Sequence, residues 1–288
     1  MAEPSLKYVQ CLDTRGLHRM AYWQWGDPAN ERVLVCVHGL SRQGRDFDTL
    51  AKALSNDYRV VCPDVVGRGQ SDWLADPMGY QIPAYVADMV SLLARLDARE
   101  LHWLGTSMGG LIGMGLAALP QSPIRRLVLN DVGPTIQADA IARIGTYLGL
   151  PMHWATLDEA ADYMLSISKG FGTHTREQWL ALTRPMLKPD GAGLKPHYDP
   201  NIAVPFRAIT PETAAFGQAA LWRSYDAITC PTLLLRGADS DLLTRDTAQE
   251  MTRRGAKARL HEFANVGHAP MLVVPEQVSV VKEFLLAP

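Results

Sequence analysis

Cysteine is scarce in this chain of 288 residues, and its four copies, Cys11, Cys36, Cys62 and Cys230, stand far apart. That spacing offers neither a disulfide framework nor the closely paired thiols of a zinc site. Cys36 and Cys62 fall inside apolar runs and read as small buried hydrophobes, which suits a reducing compartment. An excess of charge of one sign is also missing. Lys and Arg total 28 against 30 Asp and Glu, a net charge of −2, and no long block of like charge breaks the balance. Nothing in it attracts nucleic acid or an anionic membrane. No apolar run approaches the length of a membrane span, and the opening Met1 to Lys7 has no apolar core of a secretory leader. The expected location is cytoplasmic. A dinucleotide glycine fingerprint and metal-ligand spacings are absent too, so neither cofactor nor metal is expected.

What the chain does have is an ordinary globular balance, 47% apolar and 20% charged, long enough for a sizeable core. Apolar runs bounded by turn residues recur at Val33 to Val37, Tyr58 to Cys62, Leu101 to Leu104, Leu127 to Leu129 and Thr232 to Leu235. Their continuity predicts buried parallel strands. Helical patterns lie between and after them: Phe47 to Leu54, Tyr85 to Leu96, Met108 to Leu119, Arg245 to Met251 and Gln277 to Leu286. Alternation of this kind predicts a doubly wound α/β sheet. Lys7 to Gln10 and Arg19 to Trp25, around Asp13 to Gly16, read as an antiparallel hairpin on its edge. The alternation stops after Asn130-Asp131-Val132-Gly133-Pro134 and resumes near Cys230-Pro231. Residues 1–133 and 226–288 therefore form the expected core, and 134–225 an inserted helical cap. Within the insertion, Arg184 to Pro211 holds six prolines, which exclude long regular elements there and point to a binding role.

The segment Gly105-Thr106-Ser107-Met108-Gly109 sets a serine between glycines after an apolar run and before a helix of small residues. A tight strand-to-helix turn strains the serine backbone and leaves no room for side chains two residues either side, hence the glycines. Such a turn exposes the hydroxyl and aims the N–H of Met108 at the place where a substrate oxygen would gain charge. Gly109, Gly110, Gly113, Gly115, Ala117 and Ala118 then let the helix pack closely on the sheet.

A nucleophilic serine needs a base, and His268, in a Gly267-containing loop after the strand-like Ala258 to Phe263, has the right setting. His18, His102, His153, His174, His197 and His261 have no comparable context. The base in turn needs a carboxylate on a loop after a preceding strand. Asp239 and Asp241 both follow Thr232 to Leu235, and Asp241 is preferred because Leu242 and Leu243 would anchor its loop. The second oxyanion donor is expected from the backbone N–H of Leu40, with Gly39 allowing close approach and His38 bracing the loop. Arg42 and Arg45, just beyond, read as solvated surface, with a substrate carboxylate as the sharper alternative.

Taken together, His38-Gly39-Leu40, Asp64-Val65-Val66-Gly67-Arg68-Gly69-Gln70-Ser71, the elbow at 105–109, Gly237 to Asp241 and Gly267-His268 resemble the α/β-hydrolase superfamily over nearly the whole chain. The resemblance implies a mostly parallel eight-stranded sheet, a helical cap inserted after the sixth strand, and a triad of Ser107, His268 and an aspartate close to Asp241 beneath it. Carbon–carbon bond hydrolases of the family carry a glycine-proline-glycine loop after the His-Gly pair, whereas Ser41-Arg42-Gln43-Gly44-Arg45 stands here. The dehalogenases and epoxide hydrolases of the family use an aspartate at the elbow. The reading is a serine hydrolase of a small, largely apolar carboxylic ester, working through an acyl-enzyme, as a monomer or homodimer. Carbon–carbon bond, lactone or thioester hydrolysis, and a non-catalytic ligand receptor, are the alternatives.

Overall fold

A computed structural model describes residues 3–287. In chain order the first six strands are β1 (Ser5–Asp13), β2 (Gly16–Trp25), β3 (Arg32–Val37), β4 (Arg59–Pro63), β5 (Glu100–Thr106) and β6 (Ile124–Asn130). The helices between them are α1 (Asp48–Leu54), α2 (Ile82–Leu96) and α3 (Met108–Ala117). After β6 the chain leaves the sheet through α4 (Ala138–Gly145), α5 (Leu157–Ile167), α6 (Arg176–Thr183), a ribbon of β7 (Leu187–Asp190) and β8 (Gly193–Pro196), α7 (Ala203–Arg207) and α8 (Pro211–Ala227). It returns as β9 (Thr232–Gly237), α9 (Arg245–Met251), β10 (Arg259–Phe263) and α10 (Pro275–Leu286). The main sheet has eight strands in the order β1-β2-β4-β3-β5-β6-β9-β10. All its pairings are parallel except the two made by β2.

The continuous apolar strands feed two cores at once, because successive side chains of a strand point to opposite faces. Val33, Val35 and Val37 of β3 pack on one side with α2 and α3, through Met89, Leu92 and Ile112. Leu34 and Cys36 pack on the other with α1 and α10, through Leu50, Leu54, Val281 and Leu285. Leu127 and Leu129 divide from Val128 in the same way. A strand that must be apolar on both faces cannot alternate in sequence, which is why these read as unbroken runs.

The edge hairpin turns where Asp13 Oδ1 accepts from the N–H groups of Arg15 and Gly16 at 2.7 and 2.9 Å. Its inner face is closed onto α2 by His18, whose Nε2 lies 3.1 Å from both oxygens of Asp88. The hydrogen bond to that carboxylate holds the imidazole pKa above its ordinary value. Cys11 completes a cluster whose ligand-type atoms lie within 4.8 Å of one another, but burial pushes its thiol up to about 12. The trio is a sealed polar plug between hairpin and helix.

The excursion after β6 departs from the purely helical or irregular reading in one respect, the β7–β8 ribbon. A two-stranded ribbon has only edges, so Pro189 and Pro196 can sit in it without removing a needed ladder donor, and Gly191 makes its turn at φ +58°. Threonines begin three of its helices: Thr156, Thr175 and Thr210 each accept from a first-turn N–H. No described helix is long and apolar enough to cross a membrane.

Candidate active site

Ser107 joins β5 to α3 at φ 52° and ψ −117°, a left-handed conformation that a side-chain-bearing residue adopts only under strain. The surroundings enforce it. A Cβ on Gly105 would overlap the Gly109 carbonyl, and one on Gly109 would overlap that of Val37, so β3, β5 and α3 approach too closely for any other residue. Gly113 similarly makes room for the indole of Trp103, whose N–H donates to the Gly109 carbonyl at 3.1 Å.

The His268 loop leaves β10 and brings Nε2 to 3.1 Å from Ser107 Oγ. Its Nδ1 lies 2.8 Å from Oδ2 of Asp131. The carboxylate is therefore not Asp241. Asp241 faces outward and forms an ion pair with Arg143 of α4 at 2.7 and 3.0 Å, with about half of its side chain exposed. Leu242 and Leu243 are buried as expected, but they anchor the loop with Asp241 directed away from His268, and Asp239 is exposed as well. Asp131 follows β6 directly, at φ +54°, and is fully buried. The loop after β9 supplies the donors that hold it: the Gly237 N–H donates to Oδ1 at 2.8 Å and the Ser240 hydroxyl to Oδ2 at 2.5 Å. The sequence signal for Asp131 was present, an aspartate at the exit of an apolar strand and ahead of Gly133-Pro134. It competed with a loop that offered two aspartates.

The nearby loop of Leu40 is fixed by His38. The ring Nδ1–H donates to the Gly39 carbonyl at 2.7 Å and Nε2 accepts from the Val65 N–H at 2.9 Å. Arg42 N–H also donates to the Gly39 carbonyl, at 3.2 Å. Because a trans peptide points its N–H opposite its carbonyl, holding Gly39 O on the His38 side directs the Leu40 N–H the other way. Met108 is the first residue of α3, where an N–H has no acceptor within the helix. The Gly109 N–H donates to the His38 carbonyl at 3.1 Å, tying loop to elbow.

The His38 imidazole is kept neutral, its pKa pushed from 6.5 down to about 3, mainly by complete burial. On unfolding it regains water, so between these values the unfolded chain binds a proton that the folded chain refuses, and stability rises with pH. The His38 contribution is whole above 6.5 and is lost as pH falls toward 3. His38→Gln, whose amide can both donate and accept, is expected to flatten the acid-side fall of Tm across that window. An unchanged slope in thermal unfolding would place the acid sensitivity elsewhere.

Arg42 and Arg45 are held by the protein's own carboxylates, Arg42 at the edge of the cavity that Ser107 lines. Arg42 is buried, with its fork on both oxygens of Asp46 at 2.7 and 2.6 Å and on the Leu182 carbonyl at 3.1 Å. Arg45 grips Asp48 and lies over the Trp23 ring. Ser107 and His268 open into a cavity of about 100 Å³, lined by Gly39, Leu40, Phe47 and Met271 from the sheet side and by Ile144, Tyr147, Met164, Ile167 and Phe171 from the excursion. The excursion also reaches the loop of His268: the Gly267 N–H donates to the Gly170 carbonyl at 2.6 Å.

A serine, an imidazole and a buried carboxylate in one hydrogen-bonded chain, at the carboxyl ends of a mostly parallel sheet, define a site of the α/β-hydrolase type. A sequence model of the alpha/beta hydrolase family matches residues 34–280, and the chain belongs to that family. It is 58% identical over 287 residues to the 3-hydroxybutyrate-oligomer hydrolase of Cupriavidus necator, with 98% of each chain covered. It is 26% identical over 249 residues to Esterase YbfF of Escherichia coli, covering 83% of this chain and 87% of that one. Among solved structures, a putative hydrolase from Rickettsia typhi aligns with a TM-score of 0.88 at 30% identity, over 99% of both chains. An alpha/beta hydrolase from Novosphingobium aromaticivorans aligns at 0.86 and 34% identity, also over 99% of both.

Proposed function

We propose that the protein hydrolyses ester bonds in short oligomers of a hydroxy acid of the 3-hydroxybutyrate type, through an acyl-enzyme on Ser107. The observation that carries this reading is the hydrogen-bonded order Ser107, His268, Asp131 in a chain whose 58% identical relative is named for that activity. The cavity supports a small substrate, since about 100 Å³ corresponds to roughly seven to ten water-sized positions. Its lining is mostly apolar and suits a four-carbon acyl unit.

In this mechanism the Ser107 hydroxyl attacks the ester carbonyl as His268 Nε2 takes its proton. The oxyanion is received by the N–H groups of Leu40 and Met108, and Asp131 holds the imidazole in the tautomer with Nδ1 protonated while balancing the imidazolium. The carbonyl re-forms as the C–O bond to the leaving alcohol breaks, and His268 returns the proton to that oxygen. Water then attacks the acyl-enzyme with the same base, releasing the acid and restoring the serine. No step calls for a metal or organic cofactor.

The test is an activity panel on the purified protein: dimers and trimers of 3-hydroxybutyrate, simple alkyl esters of rising acyl length, lactones and thioesters. Oligomers should give the highest kcat/KM. A clear preference for thioesters or lactones would reassign the leaving group, and no turnover on any of them would overturn the reading.

A further inference from the structure

Arg68 is the largest cationic side chain that the fold buries completely, and among the described residues no carboxylate lies within ion-pair distance of it. Enclosing a guanidinium without a counter-ion carries a desolvation penalty of several kcal/mol, so its placement calls for a physical reason. All its hydrogen bonds run to the region behind the oxyanion donors. Nε donates to the Leu40 carbonyl at 2.8 Å, and Nη1 donates to the Val66 carbonyl at 2.7 Å and the Tyr85 hydroxyl at 3.0 Å. Nη2 lies 3.6 Å from the sulfur of Met108. The rings of Tyr80 and Tyr85 stand 5.7 and 5.1 Å from the guanidinium carbon, and their electron-rich faces partly offset the lost hydration. One planar cation thus contacts both residues whose N–H groups are assigned to the oxyanion.

We infer that Arg68 is the positioning residue of the oxyanion hole, locking Leu40 and Met108 in place and holding a fixed positive charge behind the developing oxyanion. This inference rests on the acyl-enzyme reading above. His38 secures the carbonyl before the Leu40 N–H, and Arg68 secures the carbonyl after it, so the residue is clamped from both sides. The backbone of Arg68 is itself held from the excursion: it forms an isolated antiparallel bridge with Tyr198, the Gly69 N–H donates to the His197 carbonyl at 2.9 Å, and the Asp199 N–H donates to the Gly67 carbonyl at 2.7 Å. A lysine could keep the charge but not the fork, and a methionine could fill the space with neither. In a water-poor setting a preorganised charge acts most strongly on the state in which substrate charge appears, so its removal should register in kcat and leave ground-state binding alone.

The experiment compares wild type, Arg68→Met and Arg68→Lys on a 3-hydroxybutyrate dimer and on a short-chain trifluoromethyl ketone, which adds to the serine and places an oxyanion in the hole. Folding of each variant is checked by circular dichroism and thermal unfolding. For Arg68→Met, kcat and affinity for the ketone should fall together by about 10- to 100-fold, less than the 10²–10³-fold lost when an oxyanion donor itself is removed. KM and inhibition by the product acid should stay near wild type. Arg68→Lys should fall between the two, and it carries the test if the methionine variant does not fold. A folded variant with full kcat, or losses confined to KM or shared equally by the product acid, would overturn the inference. If wild type neither cleaves esters nor reacts with a fluorophosphonate at Ser107, it is the acyl-enzyme reading that fails, and the two failures stay distinct.

Discussion

Ser107→Ala is expected to lower turnover by about 10⁴-fold or more, the scale seen when a triad nucleophile is removed. The hydroxyl is the only atom lost, so His268 and Asp131 keep their mutual hydrogen bond of 2.8 Å, and ester binding should change little. The loss should therefore appear in kcat with KM nearly constant. Removing the hydroxyl does not relieve the φ of 52° at residue 107, because the glycine contacts on either side impose it. Stability should consequently match wild type or slightly exceed it, as is common when a functional group is removed from a strained site. Stopped assays on a chromogenic ester, together with loss of fluorophosphonate labelling, measure both halves. A variant retaining near-normal hydrolysis would remove Ser107 from the chemistry.

Asp131→Asn and Asp241→Asn should differ by orders of magnitude. An asparagine at 131 can still accept from Gly237 or Ser240, but its amide would turn a donor toward Nδ1 and favour the tautomer in which Nε2 carries the proton and cannot take another from Ser107. Turnover should fall by about 10⁴-fold, as for other triads in which the acid becomes an amide. Asp241 holds a half-exposed ion pair with Arg143; exposed pairs are worth about 0–1 kcal/mol, so its loss should change kcat/KM by no more than about fivefold. Parallel kinetics on the two folded variants decide the matter. A collapse of activity in Asp241→Asn with Asp131→Asn unimpaired would return the acid to the loop after β9.

The hydrogen-bonded pair of Ser107 and His268 is legible in sequence because the requirements of each residue are local. A strained turn demands glycines at fixed spacing, and Ser107 carries them in plain view; His268 stands on a short Gly-Pro loop right after a strand. The apolar strands are legible for a similar reason, with edges displaced by one to three residues where polar ends such as Arg32, Glu100 and Asn130 extend the ladders. The carboxylate bonded to His268, that of Asp131, is not legible. Its reach depends on the positive φ of Asp131 and on donors from Gly237 and Ser240, more than a hundred residues away, and the aspartates nearest those donors drew the assignment to themselves. Arg42 misled in the same manner: its neighbour Asp46 is visible one helical turn on, but the Leu182 carbonyl that completes its burial comes from a part of the chain whose docking no local pattern records.

The position of Asp131, the first residue after β6, has a bearing on recombination among relatives. On the proposed mechanism, a graft joined on the carboxyl side of residue 131 would exchange the helices of the excursion and keep Asp131 beside His268, whereas a junction a residue earlier would import whatever the donor carries there. The second type of hybrid would be inert wherever the donor places its acid after the following strand, however well the foreign helices seat. Breakpoint choice, more than the compatibility of the swapped surfaces, should govern which such hybrids are alive.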